Sequence, residues 1–306
     1  MAKITVLGEV VIDRIHSNGQ STDIAGGSAA NCALALNKIG EEVFFRARYS
    51  QDPAGDFLHA TAISNGLDVS QSIRASEPAT IVDVVLNPSG SPSYEFHMQD
   101  TADWAWTSSE LEQFPIANSD ALVFGSLAAV LLPAHDVLIP WITNAKSSGT
   151  LIAYDPNARP SAVNPSDAEQ IRQRISKLVL VSNIVKVSDE DLEWINPNVD
   201  PSKQASVWST QGPEIVVLTK GANGAAAFRN GICIANVPGV KTHVVDTVGA
   251  GDTLMAWLVS GLLSFQSEMR FNAGSVESVV HRAVKAAAIT CSRAGCKPPS
   301  LTDLGL

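Results

Sequence analysis

The side chains best suited to chemistry lie in one stretch, Val244 to Leu263, reading V-V-D-T-V-G-A-G-D-T-L-M-A-W-L-V-S-G-L-L. A β-branched run ends at Asp246, a glycine-rich turn follows, and an almost wholly apolar helix opens at Asp252. Gly249 and Gly251 allow the backbone to approach a ligand closely. A turn that opens a helix also aims free N–H groups outward, with Ala250 between the glycines. The turn is therefore a candidate anion site. A helix apolar on every face is buried, which fixes its N-terminus. Asp252 reads in two ways: a carboxylate capping the helix, or a general base that takes the proton of an attacking hydroxyl beside bound phosphates.

Other polar residues fall where apolar runs end. Behind Ile4 to Gly8 and Val10 to Ile12, Asp13 reads as an acid ending a buried strand, at the carboxyl edge where open α/β sheets bind ligands, or as a loop cap. Gly26 and Gly27 open a helix of small residues that Gly40 can terminate. Asn31 is a polar intrusion in its first turns, bonding locally or facing a ligand. Asp155-Pro-Asn-Ala-Arg-Pro160 is a proline-rich turn, or a loop that presents the permanently charged, planar fork of Arg159. Lys186-Val-Ser188 leads into Asp189-Glu-Asp191, acids that suit a helix dipole. Thr219, Gly221 and Gly224 form a strand end and glycine turn before a hairpin. Tyr94, Phe96, Trp104 and Trp106 are either core or a wall against the apolar face of a ligand.

Two familiar nucleotide loops are absent. G-A-G-D-T-L lacks the third glycine of a dinucleotide fingerprint, and no G-x-x-x-x-G-K-[ST] occurs anywhere. A nicotinamide dehydrogenase would carry its glycines after the first strand, where this chain has Gly8-Glu-Val-Val-Ile-Asp13.

D-T-V-G-A-G-D-T resembles the C-terminal signature of the ribokinase-like (phosphofructokinase-B type) carbohydrate kinases. The resemblance extends over essentially the whole chain through the Gly26-Gly27 to Asn31 signature, D-P-N-x-R-P and T-K-G-x-x-G, in the family's order. The A-D-W-x-W and D-P-N-x-R-P forms look most like bacterial fructokinases. It implies ATP-dependent transfer of the γ-phosphoryl group to a primary hydroxyl of a small sugar, D-fructose above others. Ribose, 2-keto-3-deoxygluconate or a nucleoside would be the alternative acceptor, and a non-catalytic binding protein the alternative class. By the same resemblance Asp252 is the catalytic base, and Gly249, Ala250 and Gly251 form the anion hole. Arg159 reaches both the sugar and the transferring group; Asp13, Gly26, Gly27, Asn31, Tyr94, Phe96 and Trp104 contact the sugar. Lys186, Ser188, Thr219, Gly221 and Gly224 join Gly249 and Gly251 around ATP. Asp191 stands where Mg²⁺ is organised, and Asp246 where a monovalent cation, K⁺, is held.

The scaffold that holds these groups is legible in the apolar pattern. Alternating short apolar runs and helices from residue 120 onward mean a parallel, helix-covered sheet. The expected fold is α/β, a doubly wound, mainly parallel sheet flanked by helices, in a single domain spanning 1–306. Ala79 to Leu86 and Ser93 to Met98 alternate instead around Asn87-Pro-Ser-Gly-Ser-Pro92, which is hairpin grammar. In the resembling family such strands form a lid, here inserted at about 10–24 and 79–106, whose exposed edges leave open a homodimer.

A chain of 306 residues with 45% hydrophobic composition supports a sizeable core. The formal charge of −10 argues against nucleic acid or an anionic membrane as partner, leaving small molecules, sugar and ATP. No stretch is long and apolar enough for a membrane span, and the N-terminus enters a strand directly, so a cytoplasmic location is expected. Cys32, Cys233, Cys291 and Cys296 lack metal-site spacing and are expected as buried free thiols.

Overall fold

The computed structural model describes residues 1–17, 19–86 and 92–306. Its strands are β1 Lys3–Leu7, β2 Val11–Ser17, β3 Gln20–Gly26, β4 Glu42–Arg46, β5 Arg48–Ser50, β6 Ile73–Ala75 and β7 Thr80–Leu86. The chain continues through β8 Pro92–His97, β9 Ala121–Gly125, β10 Leu151–Asp155, β11 Ile184–Ser188, β12 Ile215–Thr219, β13 Ala225–Arg229 and β14 Ile232–Val237. The main sheet runs β14-β13-β12-β11-β10-β9-β1-β4. Its six strands from β12 to β4 are parallel, and β13 and β14 are antiparallel. The doubly wound α/β sheet is as the sequence pattern predicts.

Parallel strands covered on both faces read as unbroken apolar runs, and β9 and β10 are buried at every position. Alternate residues then feed two cores. Val123, Ala153 and Val217 pack on one side with Leu36, Leu258 and Val280; Phe124, Tyr154 and Leu218 pack on the other with Leu138, Ile175 and Trp208. The helix Ala250–Leu263 lies between helices Ser28–Ile39 and Ala273–Cys291 and is buried along most of its length. That is what its all-round apolar sequence requires.

A second sheet, ordered β3-β2-β7-β8, is the lid. The lid strands are Val11–Ser17, Gln20–Gly26, Thr80–Leu86 and Pro92–His97. Residues 98–106, expected within the lid, instead return to the body as a short 3₁₀ turn at Ala102–Trp104, because Trp104 and Trp106 are buried there. The hairpin turn at Asn87 to Ser91 lies outside the described residues. Asp13 falls within the lid segment expected at about 10–24, and departs only from its reading as the end of a buried strand. It does not end a strand of the main sheet: β1 stops at Leu7, and Asp13 sits within β2 of the lid, paired with Ile24 and Val82. The break falls at Gly8, where a Cβ would lie 2.5 Å from that of Ala29.

Cys32 is buried and Cys291 and Cys296 are partly so. Cys233 is exposed, contrary to expectation, because β14 is an edge strand. Among the described residues no helix is long and apolar enough to cross a membrane.

Candidate active site

A cavity of about 1430 Å³ opens between the lid and the carboxyl ends of β10, β11 and β12. The strand ends themselves carry its polar groups: Ser188 closes β11 and Thr219 closes β12, and both line it. This is where a parallel sheet leaves backbone groups unpaired and helix N-termini converge.

Asp252 stands at the centre, in the first turn of the helix Ala250–Leu263, with 9% of its surface exposed. Its side chain caps nothing in that helix. Ser28 Oγ donates to Asp252 Oδ1 at 2.7 Å, and Asn31 Nδ2 donates to Oδ2 at 2.9 Å. Both donors lie in the first turn of the helix Ser28–Ile39, so the first turns of two packed helices meet at one carboxylate. Each carboxylate oxygen keeps a lone pair free for a hydroxyl. Gly249 immediately precedes, at φ 77°, and any Cβ there would strike Cys296 Sγ. Glycine is therefore favoured at the turn; the Ala250 N–H donates to Thr247 O at 3.2 Å, and the Gly251 N–H behind it stays open to an anion.

Beneath the turn lies a buried ion pair. Lys186 Nζ is 2.7 Å from Asp155 Oδ2, with side chains 5% and 7% exposed, and a Cβ on Gly251 would sit 3.1 Å from that ammonium. Burial works to lower the Lys186 pKa, but the Asp155 and Asp191 carboxylates outweigh it and hold the side chain charged. Burial pushes Asp155 up to about 7, with Lys186 opposing. The turn thus has backbone donors on its surface and a fixed cation below.

On the lid side, Asp13 faces the cavity with Tyr94, Phe96, Val82 and Thr80. Burial raises its pKa to about 6 and the guanidinium of Arg159 works against that. Gly26, across the β2–β3 pair, leaves room for this carboxylate, since a Cβ would collide with Asp13 Oδ2; Gly26 itself does not line the cavity. Gly27 lines it at φ 113°. Arg159 is exposed and lines the cavity, its charge felt by both Asp13 and Glu9. Trp104 forms part of the wall, whereas Trp106 belongs to the core.

At the far end Lys186, Ser188, Thr219, Gly221 and Gly224 line the same cavity, followed by Val240, Val244, Val248 and Ala287 as an apolar floor. Asp191 closes a capping box with Ser188: its Oδ2 accepts from the Ser188 N–H at 3.1 Å and its Oδ1 from Ala158 N–H at 2.8 Å. Asp189 and Glu190 line the cavity beside it. Among the described residues no group of three or more His, Cys, Asp or Glu is arranged to hold a metal. Mg²⁺ needs only one or two carboxylates when phosphates and water complete its shell, so this edge fits an ion that arrives with its nucleotide. Asp246 lies off the cavity lining. Its oxygens accept from Val248 N–H at 3.0 Å and Gly295 N–H at 2.8 Å, pinning two loops together.

Sequence reasoning does not pick out Ser28, Glu9 or Asp103 as site residues. Glu9 Oε1 accepts from Ser28 N–H at 3.2 Å, and burial raises the Glu9 pKa. Asp103 joins the bases of two lid strands: Oδ1 accepts from Val10 N–H at 2.8 Å and Oδ2 from Thr80 Oγ1 at 2.5 Å. The A-D-W motif contains the signal for Asp103. Nothing local marks Ser28.

A parallel sheet with a carboxylate at a glycine turn, roofed by a β lid, is the arrangement of ribokinase-like phosphotransferases. The chain matches the pfkB family carbohydrate kinases over residues 1–303 and belongs to that family. It is a phosphotransferase acting on a sugar hydroxyl. A fructokinase from Rhizobium leguminosarum bv. trifolii is 31% identical over 85% of this chain and 79% of its own. Among solved structures, fructokinase from Xylella fastidiosa with bound ATP superposes at a TM-score of 0.90 and 20% identity, over 99% of this chain and 96% of that one. A double mutant of fructokinase from Vibrio cholerae O395, with fructose, ADP and potassium bound, gives 0.86 and 22%, over 100% and 97%.

Proposed function

We propose that this kinase transfers the γ-phosphoryl group of ATP to a primary hydroxyl of D-fructose, giving fructose 6-phosphate. The observation that carries the reading is the Asp252 carboxylate, held by Ser28 and Asn31 at the Gly249–Gly251 turn, inside one cavity with a polar lid end and a glycine-lined far end. Asp252 accepts the hydroxyl proton as the oxygen attacks phosphorus. The backbone N–H of Gly251, with Lys186 below it and Arg159 opposite, meets the developing charge, joined by that of Ala250 once it leaves Thr247 O. Asp13, oriented through Gly26 and faced by Arg159, binds the remote hydroxyls and so aims the reacting one.

Mg²⁺ would be met by the Asp189–Asp191 edge, where it supplies charge neutralisation on the phosphates. A monovalent cation, K⁺, would lie against Asp246. The fructose assignment is supported by the fructokinase relatives and, among the described residues, by the lack of a cation on the lid strands themselves that faces the sugar, Arg159 lying opposite on a loop of the body with its charge felt by Asp13 and Glu9. Arg14 neighbours Asp13 on β2, so it points to the opposite face, where Asp23 engages it at 2.7 and 3.0 Å. A site built on such hydrogen bonds rejects an analogue missing a hydroxyl sharply. The test is an ATP-coupled assay over fructose, ribose, 2-keto-3-deoxygluconate and adenosine. A kcat/KM for any of the last three exceeding that for fructose by about tenfold, roughly 1.4 kcal/mol, overturns the fructose assignment and leaves the kinase intact.

A homodimer through the lid extends the reading. Ile24 and Tyr94, on the lid face that carries Asp13, are 47% and 52% exposed, an apolar margin that a second lid would cover. A monomeric mass in solution at micromolar concentration would refute it.

A further inference from the structure

Behind Asp252, away from the sugar, a second and much smaller cavity of about 20 Å³ is enclosed by Asp252, Ser28, Asp155, Cys32, Phe124 and Met255. That volume exceeds the roughly 10–15 Å³ that one water molecule needs. Ser28 and Asp252 line both cavities, so the carboxylate stands between the small one and the site. Asp155 Oδ2 is held by Lys186, whereas Oδ1 is buried and has no hydrogen-bond partner. An unpaired carboxylate oxygen beside Ser28 and Asp252 supplies the two to four polar contacts a buried water requires.

We propose that this cavity holds one water bridging Asp252 and Asp155, and that Asp155 is the final acceptor of the proton released by the sugar hydroxyl. The proposal rests on Asp252 being the base. When the hydroxyl O–H bond breaks, the proton passes to Asp252 while the oxygen forms its bond to the γ-phosphorus. The bond from that phosphorus to the ADP oxygen breaks and its electron pair leaves with ADP. Asp252 then gives its proton to the water, which gives one of its own to Asp155 Oδ1. The water is unchanged, Asp252 is again a carboxylate, and Lys186 keeps its charge throughout. Asp155 touches no substrate; it acts through Asp252. Its pKa, raised by burial to about 7, suits a group that must gain and lose a proton near neutral pH. The ion pair with Lys186 fixes the receiving carboxylate in place.

Asp155→Asn keeps the shape of the side chain but removes its capacity to take the proton. At pH 7.5 kcat should fall about tenfold or more, with KM for sugar and ATP within about threefold. The acid limb of kcat near pH 7 should disappear, and the solvent deuterium proton inventory, curved in the wild type, should become linear. A variant whose kcat stays within about twofold, or whose kcat falls with the acid limb unmoved, overturns the relay. A high-resolution crystal structure of the unmodified protein gives an answer that needs no folded variant. Density for a water within hydrogen-bond distance of both Asp155 Oδ1 and the Asp252 carboxylate is required, and a dry cavity refutes the proposal. Near-normal turnover in Asp252→Asn would remove the base and the relay together. An inactive Asp252→Asn beside a normal Asp155→Asn would remove the relay alone.

Discussion

Asn31 Nδ2 donates to Asp252 Oδ2 at 2.9 Å although the two residues stand 221 positions apart. The bond joins the first turns of two helices that pack against each other, so the geometry of the carboxylate proposed as the base is set by helix packing. Asp252→Asn should lower kcat by about 10² to 10⁴, or about 3–5 kcal/mol of barrier, because a general base acts in the transition state. Sugar affinity, read by calorimetry without nucleotide, should change little. Near-normal kcat would leave Asp252 with a structural role only.

The two donors to Asp252 should behave as a unit. Ser28→Ala removes the bond to Oδ1 and frees one rotation of the carboxylate, so kcat should drop about fivefold to twentyfold, with a stability loss of about 1 kcal/mol. Asn31→Ala should do the same through Oδ2. The double variant should lose less than the product of the single effects, since either loss already lets the carboxylate turn. Strictly multiplicative kinetics would show that the donors act independently of one another.

Arg159→Lys should be damaging as well. Arg159 faces Glu9 and Asp13 from an exposed loop, and a point charge cannot address two oxygens in a plane as a guanidinium does. A kcat/KM that stays within about threefold, roughly 0.65 kcal/mol, would remove Arg159 from the reaction.

Much of this site can be read along the chain because parallel strands announce themselves as apolar runs, and the residues just past each run gather at one edge of the sheet. Ser188, Thr219 and the D-P-N-A-R-P turn all reach the cavity by that rule. The rule fails at Asp13, because Val10 to Ile12 looks like more of the same strand while Gly8 in fact breaks it and sends the chain into the lid. Ser28 is invisible for a different reason. A serine opening a helix suits local capping, and only the packing of residues 28 and 252 turns it toward a carboxylate. Asp191 shows the converse: its spacing suggests a metal role, and the fold also has each of its oxygens accept one backbone N–H, which leaves one lone pair on each.

Stability should respond to pH in a direction set by buried acids, with Asp103 the cleanest case. Asp103 is 1% exposed and ties Val10 to Thr80 at the base of the lid. Burial pushes its pKa from 3.8 up to about 7, with the Thr80 and Val10 hydrogen bonds opposing the rise. The folded state therefore binds the proton more tightly than the unfolded chain does. The contribution is fully present below about pH 4 and is lost as pH rises through about 7. Asp155, also raised to about 7, acts in the same sense. Urea unfolding between pH 8 and pH 5 should accordingly show stability increasing on acidification, by at most about 1.4 kcal/mol per pH unit for each titrating group. Asp103→Asn keeps an acceptor for the Val10 N–H and cannot ionise, so it should flatten this slope by one group's share while the lid stays attached. An unchanged slope in that variant would show that Asp103 carries the same proton folded and unfolded, and that its hydrogen bonds offset the full cost of its burial.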